Sequence, residues 1–278
     1  MIGAIIQART SSTRLPGKVL LELPYGSGIT VLQQVIRRLK QSKKIDTIVL
    51  ATTEDEADDA IIDIASREEV SSFRGSKENV LERYYLAAKT FGLETIVRIT
   101  SDCPCVDPAI VDLVIREHIR DRADYSSTEG YPRGLDVEVF NFDVLLQTHE
   151  KAQNDYEKEH VTPYLYRNPQ VFSIHRVVAQ GKARIPSIRL TLDIEEDFAL
   201  LCALYDYLYS TNNFFNLHDI LQLFHKKPWI RLINKKVAQK KICETLEEEI
   251  KEAVYLLDLW DLKRASSYMT EKICEAGV

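Results

Sequence analysis

Apolar runs of strand length alternate with helical segments along the first 122 residues of the chain. The buried strands predicted from these runs are Ile2–Ala8, Thr47–Thr52, Val70–Arg74 and Thr95–Thr100. Helices are predicted after the capping residue Thr30, from the acidic segment 54–56, at 79–91 and from Pro108 to about Arg122. Four strand–helix repeats with apolar strands indicate a doubly wound, mostly parallel, Rossmann-like α/β sheet.

The pattern changes after about residue 123, where shorter and more strictly alternating segments begin. They predict strands at 123–127, 136–140, 172–178 and 188–192, with helices near 142–153 and 156–167. We interpret this part as antiparallel additions that include a small arm at about 130–185. From about Leu217 the chain is predicted to be helical, and 246–260 is amphipathic. We therefore expect an α/β domain at 1–215 and a helical C-terminal extension at 216–278 that packs on it.

The first strand ends in a loop that is rich in cations and hydroxyl groups. Arg9, Arg14 and Lys18 lie within ten residues, together with the four hydroxyl side chains of 10–13, and Pro16–Gly17 predicts a turn. Such a loop can bring charge-assisted donors and backbone N–H groups to an anion. We interpret it as a phosphate-binding loop, and a basic turn without a ligand is the alternative.

Ligands of doubly wound sheets bind at the carboxyl ends of the strands, and three candidate segments lie at such ends. They are the first loop, Gly75–Ser76 and Ser101–Asp102. Asp102 directly follows a strand and Asp193 follows the predicted strand at 188–192, so both carboxylates can face the cleft as ligands of Mg²⁺. The alternative is that each aspartate only caps a helix, near Pro108 and at 195–208 respectively.

Composition excludes several classes of protein. A net charge of −6 argues against a protein that binds nucleic acid through broad neutralisation of phosphates. The five cysteines, at 103, 105, 202, 243 and 274, form no disulfide-like or zinc-like pattern and fit a reducing cytoplasm. No apolar run approaches the length that crosses a bilayer, and Met1–Ala8 lacks a basic leader. We expect a cytoplasmic protein that contacts neither membrane nor nucleic acid.

Six motifs, in order along roughly the first 200 residues, resemble those of the cytidylyltransferases that make CMP-activated sugars. Within that family the resemblance is to the branch called spore coat polysaccharide biosynthesis protein F. The motifs are A-R-x-x-S-x-R-L-P-G-K at 8–18, R-G-S-x-x-N-V-L-x-R-Y at 74–84, S-D-C-P at 101–104, G-L-D-V-E-V-F at 134–140, E-H-V-T at 159–162 and R-L-T-L-D at 189–193. The sequence departs from the sialic-acid and ketodeoxyoctulosonate activating enzymes between about 130 and 185, so the acceptor stays open.

The resemblance implies a fold of the nucleotide-diphospho-sugar transferase type and CTP as the donor. It also implies Mg²⁺ held by Asp102 and Asp193, and a homodimer whose contact includes the arm. The expected catalytic residues are Arg9, Arg14, Lys18 and Asp102. The expected nucleotide-binding residues are Ala8, Arg9, Thr10, Ser11, Ser12, Lys18, Arg74, Gly75, Ser76, Asn79 and Ser101. Cytosine would be contacted by the segment 74–76.

The acceptor is expected to contact charged residues farther along the chain, namely Arg133, Asp136, Glu138, Glu159, His160 and Arg189. The two arginines could hold a carboxylate or phosphate by their forked donors. Asp136 and Glu138 share one face of a strand, where they bind sugar hydroxyls or simply face solvent. His160 is either a packed histidine or, as the resemblance implies, part of the acceptor site.

Two further arginines are ambiguous. Arg83 is expected to be a surface cation on the helix at 79–91. Arg98 lies in a strand between apolar neighbours, so a buried guanidinium there needs an anionic partner. That partner is either a structural aspartate or a ligand.

The sequence therefore predicts a Mg²⁺-dependent cytidylyltransferase. We expect it to transfer CMP from CTP to an acidic sugar or a small phosphorylated sugar or polyol, to release pyrophosphate, and to serve surface polysaccharide or glycan assembly. A nucleotide-sugar glycosyltransferase of related fold and a non-catalytic nucleotide-binding protein are the rival hypotheses. A P-loop kinase is excluded because no G-x-x-x-x-G-K-[ST] motif is present.

Overall fold

The structure is a computed structural model that describes residues 1–237 and 246–276, with side chains described as far as residue 272. Its strands are β1 (Ile2–Gln7), β2 (Thr47–Thr53), β3 (Ser71–Gly75), β4 (Thr95–Thr100), β5 (Tyr125–Glu129), β6 (Glu138–Asn141) and β7 (Ile174–Val178). The α-helices within those residues are α1 (Val31–Leu39), α2 (Asp59–Arg67), α3 (Val80–Thr90), α4 (Pro108–Asp121), α5 (Phe142–Lys151), α6 (Asp155–His160), α7 (Pro163–Arg167), α8 (Glu195–Leu208), α9 (Leu217–Lys226), α10 (Leu246–Leu259) and α11 (Lys263–Ala276). Met1–Ile233 and Asn234–Val278 form two compact units.

All seven strands of the first unit belong to one sheet with the order β3-β2-β1-β4-β6-β5-β7. β6 alone is reversed, since it pairs antiparallel with both β4 and β5 while the remaining pairs are parallel. The predicted doubly wound, mostly parallel sheet is therefore confirmed. The predicted antiparallel addition is β6, and it lies inside this sheet.

The register aligns the carboxyl ends of the first four strands at one edge of the sheet. Gln7 at the end of β1 pairs with Ala51 of β2 and with Thr100 at the end of β4. On the other side, Thr53 at the end of β2 pairs with Gly75 at the end of β3. The segments that follow these strands are consequently brought together, as the strand-end argument predicted.

Alternation of side chains along the central strands divides the core into two layers. Ala4 and Ile6 of β1 face the layer that contains α1, α4, α8 and α9, whereas Ile5 faces the layer that contains α3 and α5. Both faces are thus covered by helices, which explains why β1, β2 and β4 are continuous apolar runs in the sequence. Thr30 caps α1 through a complete capping box with Gln33, as its position predicted.

The prediction of a strand at 188–192 is wrong. In place of a ladder the structure has a single bridge between Arg133 and Arg189. The segment donates its backbone N–H groups to loop carbonyls, from Leu190 to Arg133 at 2.7 Å and from Leu192 to Asp102 at 2.8 Å. Its apolar residues are buried all the same, so the sequence pattern of a buried strand appears without a strand.

The helix predicted at 156–167 is divided into α6 and α7. Val161 has a φ of +70°, which ends α6, and α7 begins at Pro163. Proline is favourable at a first helical position, and Thr162 before it already has helical backbone, so the interruption lies at Val161. The sequence E-H-V-T-P therefore marks a break between two short helices.

The second unit contains α10 and α11, which contact each other and are joined by a turn at Asp261 with a φ of +58°. α10 confirms the amphipathic helix that was predicted at 246–260. α9, which the sequence grouped with the tail from 216, lies in the first unit; the packing of the tail on the α/β domain stays a prediction.

None of the described helices is long and apolar enough to cross a membrane. Cys103, Cys105 and Cys202 carry free thiols. Cys243 and the side chain of Cys274 lie outside the described residues.

Candidate active site

The loop after β1 is held in a closed turn by its own backbone. The carbonyl of Thr10 accepts from the N–H groups of Ser12 at 2.9 Å and Gly17 at 3.0 Å, and Gly17 has a φ of +67° that favours glycine. Thr10 is also tied to the buried carboxylate of Asp58, which accepts from its N–H at 2.8 Å and its hydroxyl at 2.7 Å. The Thr10 side chain, predicted to bind nucleotide, therefore anchors the loop.

Lys18, at the end of this loop, joins the two aspartates that the sequence selected. Its Nζ donates to Asp102 Oδ2 at 2.6 Å and to Asp193 Oδ1 at 2.9 Å. Burial alone would lower the pKa of Lys18, but the two carboxylate charges outweigh it and raise the pKa. Residues separated by 84 and 175 positions in sequence thus meet at one point beside the strand ends.

A second ionic group positions Asp193. Arg189 Nη2 donates to Asp193 Oδ2 at 2.6 Å, and Arg189 Nε donates to Asp197 Oδ1 at 2.8 Å. Asp197 in turn accepts from the backbone N–H of Asp193 at 3.0 Å. Burial would raise the pKa of Asp193, but Lys18 and Arg189 hold it well below its usual range. Arg189 thus positions this aspartate, and its binding of the acceptor stays a prediction.

Neither aspartate acts as a helix cap, which was the alternative interpretation. Asp107 caps α4 by accepting from the N–H of Ala109, and α8 begins after Ile194 without a side-chain cap. The backbone of Asp102 instead holds the neighbouring segment in place: its carbonyl accepts from Leu192 at 2.8 Å and from the Thr191 hydroxyl at 3.3 Å. The two acidic segments are therefore joined directly.

The residues predicted to contact the base lie at the end of β3 and in the turn that follows it. Arg74 pairs with Asp59 and also donates to the carbonyls of Thr53 and Asp55 at 3.3 Å. The Ser76 hydroxyl accepts from the N–H of Asn79 at 3.0 Å. Asn79 caps α3 by accepting from Glu82 at 3.0 Å. These side chains shape the turn, and Gly75, the last residue of β3, is buried beside it.

Arg83 does not lie on the surface, so that prediction was wrong. It is 2% exposed, and its Nη1 donates to the carbonyl of Ser76 at 2.8 Å, while its Nε has no partner. It forms no ion pair within the part of the chain that the structure describes. Burial lowers the pKa of Arg83, and the positive charge of Arg9 lowers it further. The helical spacing of Val80, Arg83 and Ala87 was the sequence signal for its burial.

The other predicted nucleotide-binding residues differ in accessibility. Arg9, Ser11 and Arg14 are exposed and Ser12 is half-buried, so the outer part of the loop can reach a ligand. Ala8 is buried and donates its N–H to the carbonyl of Ala51 at 3.0 Å. Ser101 is also buried, and it donates its N–H to Gln7 at 3.3 Å. The backbone N–H groups of Ala8 and Ser101 are therefore already used, and only their other atoms are available to a nucleotide.

A cavity of about 360 Å³ opens beside this site on the reversed strand. Its lining residues are Tyr125, Ser127, Thr128, Asp136, Val137, Glu138, Tyr166 and Arg176. Asp136 and Glu138 therefore share one cavity, as their spacing predicted. The register of β4 with β6 pairs Arg98 with Glu138, so Asp136, two residues earlier, lies near the carboxyl end of β4.

The charged residues of the cavity have different environments. Glu138 pairs with Arg98 and accepts from the hydroxyls of Tyr125 and Thr162. Burial would raise the pKa of Glu138, but the charge of Arg98 lowers it. The partner of Arg98 is thus a glutamate and not an aspartate. For Asp136, burial removes part of the water around the carboxylate and raises its pKa, and the hydrogen bond from the Gly134 N–H and the charge of Arg133 only partly offset this effect.

The remaining predicted acceptor residues lie outside the lining of this cavity. Glu159 is exposed on α6, and His160 lies against the ring of Tyr156 with 4.6 Å between ring centroids. Arg133 contributes its backbone to the bridge with Arg189. Arg176 was missed, although it lies on β7 opposite Ser127 and carries a guanidinium at the cavity wall.

The donor set at Lys18 suits a magnesium ion. Asp102 and Asp193 supply two carboxylates that converge on one cation position, and Mg²⁺ characteristically takes one or two carboxylates together with water and substrate phosphates. Within the described residues no group of three or more histidine, cysteine, aspartate and glutamate side chains is placed to hold a metal by itself. These residues thus fit an ion that is shared with a nucleotide.

Fold and site together define a nucleotidyltransferase with a Rossmann-like sheet. Its distinguishing features are the reversed β6, the cationic loop after β1, and the two aspartates that meet at Lys18. The chain belongs to the cytidylyltransferase family, because the family model with that description matches residues 3–257. It is therefore an enzyme of the CTP-using nucleotidyltransferase class.

Similar proteins support this assignment. The chain is 38% identical over 243 residues to a protein of Methanocaldococcus jannaschii, covering 87% of this chain and 98% of the relative. It is 37% identical over 206 residues to the spore coat polysaccharide biosynthesis protein SpsF of Bacillus subtilis, covering 72% and 85% respectively. A solved cytidylyltransferase structure from Leptospira borgpetersenii superposes with a TM-score of 0.77 at 33% identity, covering 87% of this chain and 99% of that one.

Proposed function

We propose that this enzyme transfers CMP from CTP to an acidic sugar, or to a small phosphorylated sugar or polyol, and releases pyrophosphate. The observation that carries the proposal is the meeting of Lys18 with Asp102 and Asp193 at the end of the cationic loop. A triphosphate needs cationic partners and a divalent ion needs carboxylates, and this site places the two kinds of group side by side. The name of the Bacillus subtilis relative supports a product that serves surface polysaccharide or glycan assembly.

The cationic loop would bind and orient the triphosphate. Arg9 and Arg14 are exposed and can form forked contacts with phosphate oxygens, while Lys18 contributes a point charge. Interactions that strengthen as charge shifts onto the leaving pyrophosphate lower the barrier and not only the dissociation constant. We therefore expect loss of Lys18 to slow the reaction as well as to weaken binding.

Asp102 and Asp193 would hold Mg²⁺. When bound, the ion neutralises phosphate charge and polarises the α-phosphate for attack. The protein contributes the fixed geometry, since Arg189 and Asp197 orient Asp193, and the Asp102 carbonyl is bonded to Leu192. Pre-organised carboxylates avoid a reorganisation cost during the reaction.

The cavity on β6 would hold the acceptor. An acceptor oxygen attacks the α-phosphorus, the bond from that phosphorus to the bridging oxygen breaks, and pyrophosphate leaves. A hydroxyl acceptor must lose its proton, and the raised pKa of Asp136 suits this carboxylate as the base. A phosphate acceptor needs no base. Arg176 at the cavity wall supplies the forked donor for an acceptor carboxylate or phosphate.

Pyrophosphate release tests this function. We expect CTP to be preferred when the four nucleoside triphosphates are each combined with nonulosonic acids and with sugar and polyol phosphates. Asp102→Ala and Lys18→Ala should lose nearly all activity with magnesium present, whereas Glu54→Ala, at an exposed position after β2, should keep it. Full activity in Asp102→Ala would contradict the metal assignment. Sugar transfer from a finished nucleotide sugar without pyrophosphate would instead identify a glycosyltransferase.

A homodimer and a cytoplasmic location remain part of the proposal. Sedimentation at several protein concentrations tests the first, and fractionation of cells tests the second. The net charge of −6 gives no support for a nucleic-acid partner.

A further inference from the structure

The same two carboxylates that would hold the metal already hold a cation that belongs to the chain. The Lys18 ammonium lies between Asp102 at 2.6 Å and Asp193 at 2.9 Å. We propose that Lys18 occupies the metal position of the nucleotide-free enzyme, and that a divalent ion binds well only after a nucleotide draws Lys18 away. This inference rests on the proposed function, because it takes the two aspartates as the metal ligands.

The two proposed metal ligands already have cationic partners. Among the described residues, Lys18 contacts Asp102 and Asp193, and Arg14 and Arg189 also contact Asp193. Carboxylates paired in this way attract a dication far less than two unpaired carboxylates would, because each Coulomb attraction is offset by a neighbouring repulsion.

The position between the two carboxylates is also enclosed. The side chains of Lys18, Asp102 and Asp193 are only 13%, 20% and 9% exposed. Little water can enter to screen an ammonium from a dication that shares its ligands, so their repulsion is strong there. The two cations consequently exclude each other at this position.

The Lys18 side chain can move from the two carboxylates to a triphosphate bound at the loop. It follows Gly17, where even an added Cβ would meet no atom within 4 Å, so the loop has room to adjust. The lysine stem is long and flexible, and exposed Arg9 and Arg14 lie on the same loop. A triphosphate bound to this loop offers Lys18 new anionic partners and leaves Asp102 and Asp193 free for the metal.

Thermodynamic linkage makes this exchange measurable. If nucleotide binding removes Lys18 from the carboxylates, nucleotide and metal must each raise the affinity for the other by the same factor. When a neutral side chain replaces Lys18, a divalent ion should bind at the metal position even without a nucleotide. Couplings between sites typically amount to roughly 5- to 150-fold, and we expect about tenfold or more here.

Titration of the full-length, nucleotide-free protein with Mn²⁺, followed by the electron paramagnetic resonance signal of free Mn²⁺, tests the inference. We expect weak binding to wild type and to Lys18→Arg, and binding at least about tenfold tighter to Lys18→Met and to Lys18→Gln. Arg14→Gln is the matched control, because Arg14 contacts Asp193 at 3.0 Å but does not join the two aspartates. Its effect should be clearly smaller. Adding Asp102→Asn to Lys18→Met should abolish the tight site.

The outcomes separate this inference from the proposed function. If nucleotide-free wild type binds Mn²⁺ as tightly as Lys18→Met and Lys18→Gln do, and Asp102→Asn abolishes that binding, the metal ligands are right but Lys18 does not occupy their position. If neither Lys18 variant binds Mn²⁺, the two aspartates are not a metal site and both proposals fail. Tight binding to the variants in a chain that releases no pyrophosphate from CTP would sustain the inference and overturn only the proposed reaction. Circular dichroism verifies that each variant is folded.

Discussion

Replacing Gly134 by alanine should destabilise the first unit far more than an ordinary glycine substitution. Gly134 has a φ of +95°, and its nitrogen donates to Asp136 Oδ2 at 2.9 Å. A Cβ built at this position lies 2.6 Å from the carbonyl carbon of Leu190 and 2.8 Å from the nitrogen of Thr191. These are backbone atoms of the segment that carries Asp193, so they cannot be relieved by a change of rotamer.

The magnitude has two parts. A non-glycine residue in left-handed backbone costs roughly 1–2 kcal/mol. Forcing an extra group into a closely packed site costs roughly a further 1–3 kcal/mol, since atoms must move apart. The expected loss in the free energy of unfolding is therefore about 2–5 kcal/mol.

Gly92→Ala separates the two parts. Gly92 has a φ of +61°, but a Cβ added there would meet no atom within 4 Å, so the substitution carries only the backbone cost of roughly 1–2 kcal/mol. Urea unfolding, monitored by Trp229 fluorescence in a Trp260→Phe background, reports on the first unit. Gly134→Ala should also lose pyrophosphate release, because the displaced segment holds Asp193, while Gly92→Ala should keep it.

Equal losses of stability in Gly134→Ala and Gly92→Ala would refute this reasoning. That result would mean that the backbone at Leu190 moves away from residue 134 without lowering the free energy of unfolding. Unchanged activity in a destabilised Gly134→Ala would show instead that the segment moves but that the position of Asp193 does not depend on it.

Three further predictions concern buried charges. Asp193 has a folded-state pKa below its unfolded value, so its stabilisation is present above about pH 4 and is lost as the pH falls below it; Asp193→Asn should flatten the acid dependence of the free energy of unfolding there. Arg83→Met should leave the free energy of unfolding in urea unchanged or raised, because it removes a buried charge that has no ion pair among the described residues. Arg98→Met should cost about 3–5 kcal/mol in urea unfolding by leaving Glu138 unpaired, and adding Glu138→Gln should restore most of that loss.

The central sheet was predictable because its parallel strands are buried on both faces. β1, β2 and β4 are apolar runs of strand length, each followed by a polar segment and then a helix, and this order determines their pairing. The same rule failed at 188–192. That segment is equally apolar and equally buried, but its hydrogen bonds go to loops, and composition cannot distinguish a ladder from such contacts.

The meeting of Lys18 with Asp102 was predictable because the segments that carry them follow β1 and β4, whose carboxyl ends lie at one edge of the sheet. Asp193 was selected partly through a predicted strand that the structure lacks, so only the family motif led to it correctly. Arg83 and Arg176 were not found because their environment depends on how the chain packs around them and not on their immediate neighbours in sequence. The ion pairs of Arg189 with Asp193 and Asp197 were not foreseen for a different reason: a forked donor suits a ligand and a neighbouring aspartate equally well.

The failed strand at 188–192 also explains how the second aspartate reaches the first. A regular ladder would have joined this segment to a neighbouring strand through evenly spaced bonds, whereas here Leu192 donates directly to the carbonyl of Asp102. The position of Asp193 is therefore tied to Asp102 itself and, through the close approach at Gly134, to the loop that leads into the cavity on β6. A disturbance of that loop should reach Asp193 and Asp102 through two short backbone contacts, so the proposed acceptor cavity and the proposed metal ligands are structurally coupled.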